Sequence, residues 1–337
     1  MHDPARSMPY CKEIDITTLD DVFVGNMEDI HAATGVTVLV FPHAARVGVD
    51  ISGGGPASRE SAVLSPLAAP TPVNAIVLSG GSAYGLAASD GVMEWLEVRG
   101  MGFDTGIAPV PIVVQSCLYD LGYGDPDVRP DAAMGMAACE AALARAPFVS
   151  GSYGAGAGAT VGKICGMRRA MKGGLGVYAV TLGKLIMAAV VVVNALGDVY
   201  DERSGQKIAG LLTEDRSAFA DSRAAWYAIS APTNLFTQTN TTIGAVLTNG
   251  DLDRAQLTKL ACMTRNAYAR CIRPAGTLAD GDTIYAASFG REPVDCSMAG
   301  VLAAEVMAEA IRRAVTTSQV DDATFLAHCW SSDRVAS

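Results

Sequence analysis

Thr241, which follows Asn240, places a hydroxyl group that could act as a nucleophile at the start of a candidate strand. Residues 239–249 read Thr-Asn-Thr-Thr-Ile-Gly-Ala-Val-Leu-Thr-Asn and run into the turn residues Gly250 and Asp251. This density of β-branched and aliphatic residues predicts a strand that closes in a turn. If the peptide bond before Thr241 were cut, this residue would carry both a hydroxyl nucleophile and a free α-amine as its base. Threonine is also common in strands for purely structural reasons, so Thr241 alone does not establish catalysis.

An acidic pair, Asp280 and Asp282, flanks Gly281 just before another predicted strand. In extended backbone the i,i+2 spacing points both carboxylates to one side. One carboxylate could then orient the amine of a neighbouring nucleophile, while the other, close to a like charge, would have a raised pKa. The alternative interpretation of this short motif is a solvated turn.

An amide and an ammonium group complete the candidate chemistry. Asn194 ends the apolar run 185–193, where its amide could cap the strand end or donate to a developing oxyanion. Lys163 follows the glycine-dense stretch 151–162, which lacks the G-x-x-x-x-G-K-[ST] pattern of a phosphate loop. We interpret this stretch as a flexible or tightly turned segment that delivers Lys163 to a site.

Histidine-based hydrolysis has little support in the sequence. The chain has only 4 histidines, two of them near the termini, and no G-x-S-x-G elbow. We interpret His43 as a turn residue instead of a catalytic base. A hydrolytic mechanism would therefore need another base, such as an α-amine.

Composition narrows the class of protein and its partners. With 337 residues, of which 50% are hydrophobic, the chain can fill the core of one large domain or two small ones. A net charge of -10 without a basic cluster argues against nucleic acid as a partner. The 8 scattered cysteines, with no C-x-x-C pair, indicate a reduced, cytoplasmic setting. Residues 1–18 lack the apolar run of a signal peptide, and 185–193 is shorter than the roughly 20 residues that span a membrane.

The elements that must position these residues follow from apolar runs and turn signals. The first 34 residues are predicted to be an irregular lead-in, and 200–238 an exposed, poorly regular connection. Segment 45–51 is predicted to pair with 36–41 through Pro42-His43-Ala44, and 176–181 to form an antiparallel hairpin with 185–193. The predicted strands are 36–41, 45–51, 74–78, 110–114, 176–181, 185–193, 241–249 and 283–288, and the predicted helices 83–98, 131–145, 254–270 and 297–315.

Long apolar strands with little alternation must be covered on both faces. Hairpins make such strands antiparallel, and the long helices supply the covers. The economical architecture is an α/β fold with four layers, an α/β/β/α sandwich with two largely antiparallel sheets, over 1–337 as a single domain. A doubly wound parallel fold is the alternative.

Together, these residues resemble the DmpA-like N-terminal-nucleophile hydrolases. This family includes the L-aminopeptidase/D-amidase enzymes, the β-peptidyl aminopeptidases and the nylon-oligomer endo-hydrolases. The resemblance runs from about Gly35 to Val315 and is carried by the order of six pieces. These pieces are Ser79-Gly80-Gly81-Ser82-Ala83-Tyr84-Gly85-Leu86, Ser116 to Asp120, Gly158 to Lys163, Val191 to Asn194, Asn240 to Asn249, and Asp280-Gly281-Asp282.

The resemblance implies a precursor that cleaves itself into 1–240 and 241–337 and then hydrolyses amide bonds of small peptides, amino-acid amides or amide oligomers. It also implies the four-layer sandwich, a homo-oligomer in the form of a tetramer, and no cofactor. The implied roles are nucleophile for Thr241, oxyanion donor for Asn194, tuning of the nucleophile or binding of the substrate carbonyl for Lys163, positioning and polarisation of Thr241 for Asp280 and Asp282, and lining of the substrate pocket for Tyr119.

Thr241 with Asp280 and Asp282 is more similar to the nylon-oligomer hydrolase branch than to the peptidases that act on β-amino termini. Those peptidases use a serine nucleophile and a Ser/Glu pair in the later motif. Two other functions stay open on the sequence alone. One is an uncleaved, non-catalytic binding or scaffolding protein of the same fold, and the other is a threonine-nucleophile acetyltransferase of the ornithine type, which also cleaves itself.

Overall fold

The computed structural model describes Met8, residues 10–229 and residues 240–329, which form a mixed α/β fold. The helices are α1 (Ala88–Val98), α2 (Ala132–Leu143), α3 (Ser222–Ala228), α4 (Arg254–Cys271), α5 (Cys296–Thr316) and α6 (Asp322–His328). The strands are β1 (Lys12–Glu13), β2 (Phe23–Asp29), β3 (Thr34–Ile51), β4 (Ala57–Arg59), β5 (Val73–Ser79), β6 (Phe103–Asp104), β7 (Pro109–Val110), β8 (Val113–Cys117), β9 (Thr160–Val161), β10 (Met171–Lys172), β11 (Gly174–Leu182), β12 (Leu185–Asn194), β13 (Asp198–Tyr200), β14 (Lys207–Ala209), β15 (Thr241–Gly250), β16 (Ile272–Arg273) and β17 (Thr283–Glu292).

Aspartate side chains fix the starts of the three longest helices. Asp131, Asp253 and Asp295 each accept the backbone N–H of the residue three positions later, at the starts of α2, α4 and α5. Such caps satisfy an amide that has no partner within the helix. The predicted helices 131–145, 254–270 and 297–315 therefore begin close to where they were expected. The predicted helix 83–98 begins later, at Ala88, because residues 82–87 form a 3-10 helix.

One hydrogen-bonded sheet of ten strands, in the order β1-β11-β12-β15-β17-β3-β5-β8-β4 with β2 added to β3, organises the chain. Its pairs are antiparallel except β15 with β17 and β5 with β8. The predicted hairpin through Pro42-His43-Ala44 is wrong, because β3 runs through these residues as one strand of 18. Proline is tolerated there because the register with β5 shifts between Val40 and Ala45.

Strand β3 is the reason why the sheet is continuous instead of the two separate sheets that were predicted. Its first part pairs with β2 and β5, and its last part, Arg46 to Ile51, pairs with β17. One half of the sheet therefore consists of β1, β11, β12, β15 and β17, and the other half consists of β2, β5, β8 and β4.

Both faces of the central strands are buried, as their uninterrupted apolar sequence predicted. On β12, Val191 and Val193 enter a cluster with residues of α4 and α5, while Val190 and Val192 enter a second cluster. The second cluster joins the two halves of the sheet, since it also holds Ile76 and other residues of β3, β5 and β8. A third cluster lies between β3, β5 and β8 on one side and α1 and α2 on the other.

Other segments differ from the sequence-based expectations. The lead-in contains β2, which the mixed polar sequence Phe-Val-Gly-Asn-Met-Glu-Asp concealed. The connection predicted at 200–238 contains β14 and α3 and buries Leu211 in a small cluster. Its last part, 230–238, lies outside the described residues. Among the helices that the structure describes, none combines the length and apolarity needed to cross a bilayer.

Candidate active site

The ends of three neighbouring strands meet at one edge of the sheet. Strand β12 ends at Asn194, β15 begins at Thr241, and β17 begins directly after Asp282. Since β12 is antiparallel to β15 and β15 is parallel to β17, the end of the first strand lies beside the starts of the other two. This topology brings residues from distant parts of the sequence together.

Thr241 and Asn194 are directly opposed in the β12–β15 pair. Opposed residues of an antiparallel pair point to the same face, with their Cβ atoms about 5 Å apart. Both residues are buried. Because side chains alternate along a strand, Thr241 lies on the same face as Ile243, which belongs to the cluster between the two halves of the sheet. The hydroxyl therefore faces the interior of the protein.

Hydrogen bonds hold the Asn194 side chain at both its oxygen and its nitrogen. Its Oδ1 accepts from Lys163 Nζ at 2.8 Å and from the Thr160 backbone N–H at 3.0 Å. Its Nδ2 donates to the Tyr119 carbonyl oxygen at 2.9 Å. These partners fix the orientation of the amide, and the second hydrogen on Nδ2 is available for another acceptor.

A tight turn at Gly162 places Lys163 in contact with Asn194. Gly162 has a φ of 76°, in the left-handed region, and a side chain there would overlap the backbone of Gly210 and Leu211. The Gly162 and Lys163 N–H groups donate to the carbonyls of Gly197 and Leu196, just beyond β12. This glycine-rich stretch thus places Lys163 beside Asn194, and the role of Lys163 at a site stays a prediction.

Burial lowers the pKa of Lys163 to about 7, although the carboxylates of Asp280 and Asp120 act in the opposite direction. The ammonium form is costly in this apolar setting, so the neutral amine becomes accessible near neutral pH. The Nζ atom donates to the Asn194 carbonyl oxygen at 3.1 Å in addition to the Asn194 side chain. Lys163 is thus a titratable group next to the candidate oxyanion donor.

The two carboxylates of the acidic pair are buried and bonded to backbone amides. Asp282 Oδ1 accepts from the Thr242 N–H at 2.7 Å, and Oδ2 accepts from the Gly276 N–H at 2.9 Å. Asp280 Oδ2 accepts from the Thr277 N–H at 2.7 Å. The solvated-turn interpretation of this pair is wrong, because both side chains are almost inaccessible to solvent.

Burial, followed by the nearby charge of Asp280, raises the pKa of Asp282 to about 7. Burial also raises the pKa of Asp280, while hydrogen bonds from Thr277 and the charge of Lys163 lower it. A raised pKa in an acidic pair was predicted from the spacing of the two residues, and the dominant cause is burial.

Hydrogen bonds surround the peptide bond between Asn240 and Thr241. The Thr241 hydroxyl donates to the Asn240 carbonyl oxygen at 2.5 Å, and the Gly281 N–H donates to the same oxygen at 2.9 Å. Asn240 in turn donates its N–H to the Ala279 carbonyl at 3.3 Å. The carbonyl that the hydroxyl would attack is therefore already polarised by the Gly281 N–H.

Tyr119 reaches the site through its backbone, since its carbonyl accepts from Asn194. Tyr119 is half-buried and lies shortly after the end of β8, a strand in the other half of the sheet. The site thus lies where the two halves meet. The predicted lining of a substrate pocket by the Tyr119 side chain stays a prediction.

Two buried charged residues next to the site were not predicted to belong to it. Asp120 accepts from the Gly81 N–H and the Thr34 hydroxyl, each at 2.7 Å, and burial raises its pKa to about 6. Lys172 donates to three backbone carbonyls, and burial lowers its pKa to about 7. Asp120 ends one of the six pieces that carry the family resemblance, which is the signal that could have found it, whereas Lys172 is an isolated lysine that gave little signal.

Five of the predicted site residues lie together at one buried edge of the sheet: Thr241, Asn194, Lys163, Asp280 and Asp282. The Tyr119 carbonyl contacts this group through Asn194. Solved structures of other proteins share this fold. The structure of an L-aminopeptidase D-Ala-esterase/amidase from Ochrobactrum anthropi, described as a variant of the Ntn hydrolase fold, superposes with a TM-score of 0.65 at 17% identity, covering 94% of both chains. A Burkholderia sp. beta-aminopeptidase matches with a TM-score of 0.61 at 20% identity, again over 94% of both chains.

The sequence defines the family within that class. The model of peptidase family S58 matches residues 15–325, and the chain belongs to this family, a family of hydrolases. An uncharacterized aminopeptidase of Mycobacterium leprae is 40% identical over 268 residues, 77% of this chain and 71% of the relative. The 6-aminohexanoate-oligomer endohydrolase of Kocuria sp. is 33% identical over 311 residues, 87% of this chain and 83% of the relative. The resemblance to the DmpA-like hydrolases is thereby confirmed.

Proposed function

We propose that this chain is a self-processing amide hydrolase with Thr241 as its N-terminal nucleophile. The observation that carries the proposal is the Thr241 hydroxyl, 2.5 Å from the carbonyl oxygen of the preceding residue and buried opposite Asn194. A hydroxyl so close to its own peptide carbonyl is placed for attack within the chain. The family membership supports amide hydrolysis as the mature activity.

The proposed first reaction breaks the Asn240–Thr241 peptide bond. Thr241 Oγ1 forms a bond to the Asn240 carbonyl carbon, the C–N bond breaks, and the hydroxyl proton passes to the departing nitrogen. The product is an ester between the two residues. Water then hydrolyses this ester, giving a carboxylate on Asn240, a free hydroxyl and a free α-amine on Thr241. The chain is divided into 1–240 and 241–337.

In the second reaction the new α-amine acts as the general base. It accepts the proton of the hydroxyl while Oγ1 attacks the carbonyl carbon of a substrate amide. The second hydrogen of Asn194 Nδ2 stabilises the resulting oxyanion, an effect worth roughly 3 kcal/mol where such donors have been removed from hydrolases. The proton then passes to the leaving amine, and water hydrolyses the acyl-threonine ester. These steps require no cofactor.

Lys163 and the acidic pair set the protonation of this centre. Lys163 fixes Asn194 through two hydrogen bonds and places a titratable ammonium near the oxyanion position. Asp282 binds the N–H of Thr242, the residue after the nucleophile, and Asp280 lies beside the scissile peptide through its backbone pairing with Asn240. We assign both aspartates to positioning Thr241 and its amine.

The substrates we propose are small peptides, amino-acid amides or amide oligomers. Relatives that cover more than two thirds of this chain are named aminopeptidases and 6-aminohexanoate-oligomer endohydrolases, and both names describe hydrolysis of an amide bond. The shared chemistry is therefore the amide, whereas the position of the cut within the substrate differs between these relatives. A panel of amino-acid amides, short peptides and amide oligomers separates the two modes.

We also propose that the fold is layered as an α/β/β/α sandwich, with the two halves of the continuous sheet as the inner layers. The three apolar clusters support this arrangement, since one lies between the halves and the other two lie under helix pairs.

The assembly we propose is a cytoplasmic homo-tetramer. Light scattering of the purified protein would test the number of subunits.

The decisive experiment is the size and N-terminal sequence of the purified chain. We expect two bands on a denaturing gel, with a second N-terminal sequence that begins Thr-Thr-Ile-Gly. A single intact band of 34.8 kDa in fully active protein would contradict the proposal. Processed protein that transfers acetyl groups to amines but hydrolyses no amide would overturn the assignment of the reaction.

A further inference from the structure

Gly281 lies against both reacting groups of the proposed self-cleavage. Its N–H donates to the Asn240 carbonyl oxygen at 2.9 Å. Its α-carbon faces the nucleophile, since a Cβ at this position would lie 2.8 Å from Thr241 Oγ1. We propose that the Gly281 N–H is the oxyanion donor of the self-cleavage reaction, separate from the Asn194 amide that serves the substrate. This inference rests on the proposed function.

The peptide unit that carries this N–H is fixed at both ends. Its carbonyl, on Asp280, accepts from the Gly55 N–H at 2.9 Å, and its N–H donates to Asn240. Hydrogen bonds arranged in such a row polarise one another, which strengthens the donor. The row ends on the oxygen that gains negative charge when Thr241 attacks.

Side-chain anchors on either side hold the donor in place before the reaction. Asp280 is tied to the Thr277 N–H, and Asp282 is tied to the N–H groups of Thr242 and Gly276. A donor that is oriented in advance does not need to reorganise as charge develops, and this is the condition under which oxyanion donors are most effective.

Asn194 is engaged elsewhere in the uncleaved chain. Its Oδ1 binds Lys163 and Thr160, and one Nδ2 hydrogen binds the Tyr119 carbonyl. The Asn240 carbonyl oxygen accepts from the Thr241 hydroxyl and from the Gly281 N–H. The Gly281 N–H is therefore already bound to the oxygen that gains charge in the self-cleavage, whereas the Asn194 amide is bound to the Tyr119 carbonyl.

The sequence requires glycine here for space. The φ angle of Gly281 is outside the left-handed region, so an L-residue could adopt its backbone conformation. A Cβ, however, would press on the Thr241 hydroxyl and approach the Gly55 carbonyl oxygen at 3.1 Å. Glycine thus lets the donor and the nucleophile approach the same carbonyl from adjacent positions.

The test removes only the N–H, by replacing Gly281 with glycolic acid through nonsense suppression, which turns one amide into an ester without adding bulk. We expect self-cleavage of the full chain to be about a hundredfold slower, because loss of one oxyanion donor has that size of effect in other hydrolases. Gly281→Ala is the second variant, and we expect it to slow cleavage by displacing the hydroxyl. Band intensities on a denaturing gel over time give both rates.

Matched controls use Gly122, where a Cβ would make only ordinary contacts, 3.6 and 3.8 Å from the Met167 side chain. Glycolic acid at 122 and Gly122→Ala should cleave like the parent chain, and circular dichroism checks that each variant is folded. A Gly281 ester that cleaves at the parental rate overturns this inference alone. A parent chain that never cleaves overturns the proposed function and this inference with it.

Discussion

Asn194 and Thr241 are opposed residues at the open end of the antiparallel pair β12–β15, and the Asn194 side chain is bound by Lys163 Nζ. Side chains alternate along a strand, so a shift of one residue in this pairing would turn Thr241 to the opposite face. The register of two apolar strands therefore determines whether nucleophile, amide and ammonium meet. Apolar packing on both faces of β12 maintains this register.

Thr241→Ala should abolish both self-cleavage and amide hydrolysis, because it removes the attacking oxygen. Thr241→Ser should retain both activities at reduced rates, since it keeps the hydroxyl. Gel bands and release of amine from a panel of amides measure the two reactions. Thr181→Ala, on strand β11 of the same sheet, is the control and should behave like the parent chain. Cleavage or hydrolysis by the alanine variant would sink the role assigned to Thr241.

Amide hydrolysis should rise with pH through about 7, the value to which burial and the Asp280 charge raise the pKa of Asp282. Above this pH the ionised carboxylate accepts fully from the Thr242 and Gly276 amides, and below it one oxygen becomes protonated. The profile of kcat/KM against pH reports this ionisation in the free enzyme. Asp282→Asn should lower the rate and remove this acidic limb. A parental profile that is flat across this pH contradicts the assignment.

The contribution of Lys172 to stability should rise with pH between about 7 and 10.5. Burial lowers its pKa in the folded chain to about 7 from the ordinary 10.5. Within this window the unfolded chain binds a proton that the folded chain does not, so the free energy of unfolding gains about 1.4 kcal/mol per pH unit for one such group. The cost of burying the ammonium is complete below the window and disappears above it.

Denaturant unfolding across this pH window tests the contribution of Lys172. The difference in unfolding free energy between the parent and Lys172→Met should shift in the parent's favour as pH rises. Exposed Lys184→Met is the matched control, and its difference from the parent should stay constant. If the difference in unfolding free energy between the parent and Lys172→Met also stayed constant with pH, the Lys172 ammonium would not be destabilised by burial. Lys163 has the same type of pKa change and contributes to the parental slope in both comparisons.

Much of the fold could be predicted because single segments carry enough information. Apolar runs and turn signals marked β11, β12 and β15 as well as the helices α2, α4 and α5. Strand β3 could not be predicted as one element, because Pro42-His43-Ala44 is typical of a turn. The chain continues straight there because β5 and β17 pair with its two parts, and these partners lie far along the sequence.

The candidate site was predicted through residue types and their order, whereas its supporting contacts depend on distant segments. The Asp120 carboxylate, for example, accepts from Thr34, 86 residues away, and from the Gly81 N–H in the segment after β5. The same segment was noted in the sequence as one piece of the family resemblance. Its contact with Asp120, next to the Tyr119 carbonyl that binds Asn194, gives that piece a physical role.

Asn194→Asp should separate the two functions of the Asn194 side chain. A carboxylate still accepts from Lys163 and Thr160, but it cannot donate to the Tyr119 carbonyl or to a substrate oxyanion. We expect kcat on processed enzyme to fall by about 10² to 10³ with little change in KM, since the lost interaction forms mainly in the transition state. The added charge should also raise the pKa of Lys163.

The matched control for this variant is Asn249→Asp, at the other end of β15. Asn249 bonds in the same manner, accepting from the Ile186 N–H and donating to the Lys184 carbonyl, and the change should leave kcat close to the parental value. The processed fraction is measured on a denaturing gel, so that kcat refers to cleaved enzyme only. Because both variants lose one strand-end donor and gain one charge, a general effect on the sheet would reduce kcat equally in both. Such equal losses, or an Asn194→Asp enzyme with parental kcat, would refute the oxyanion role.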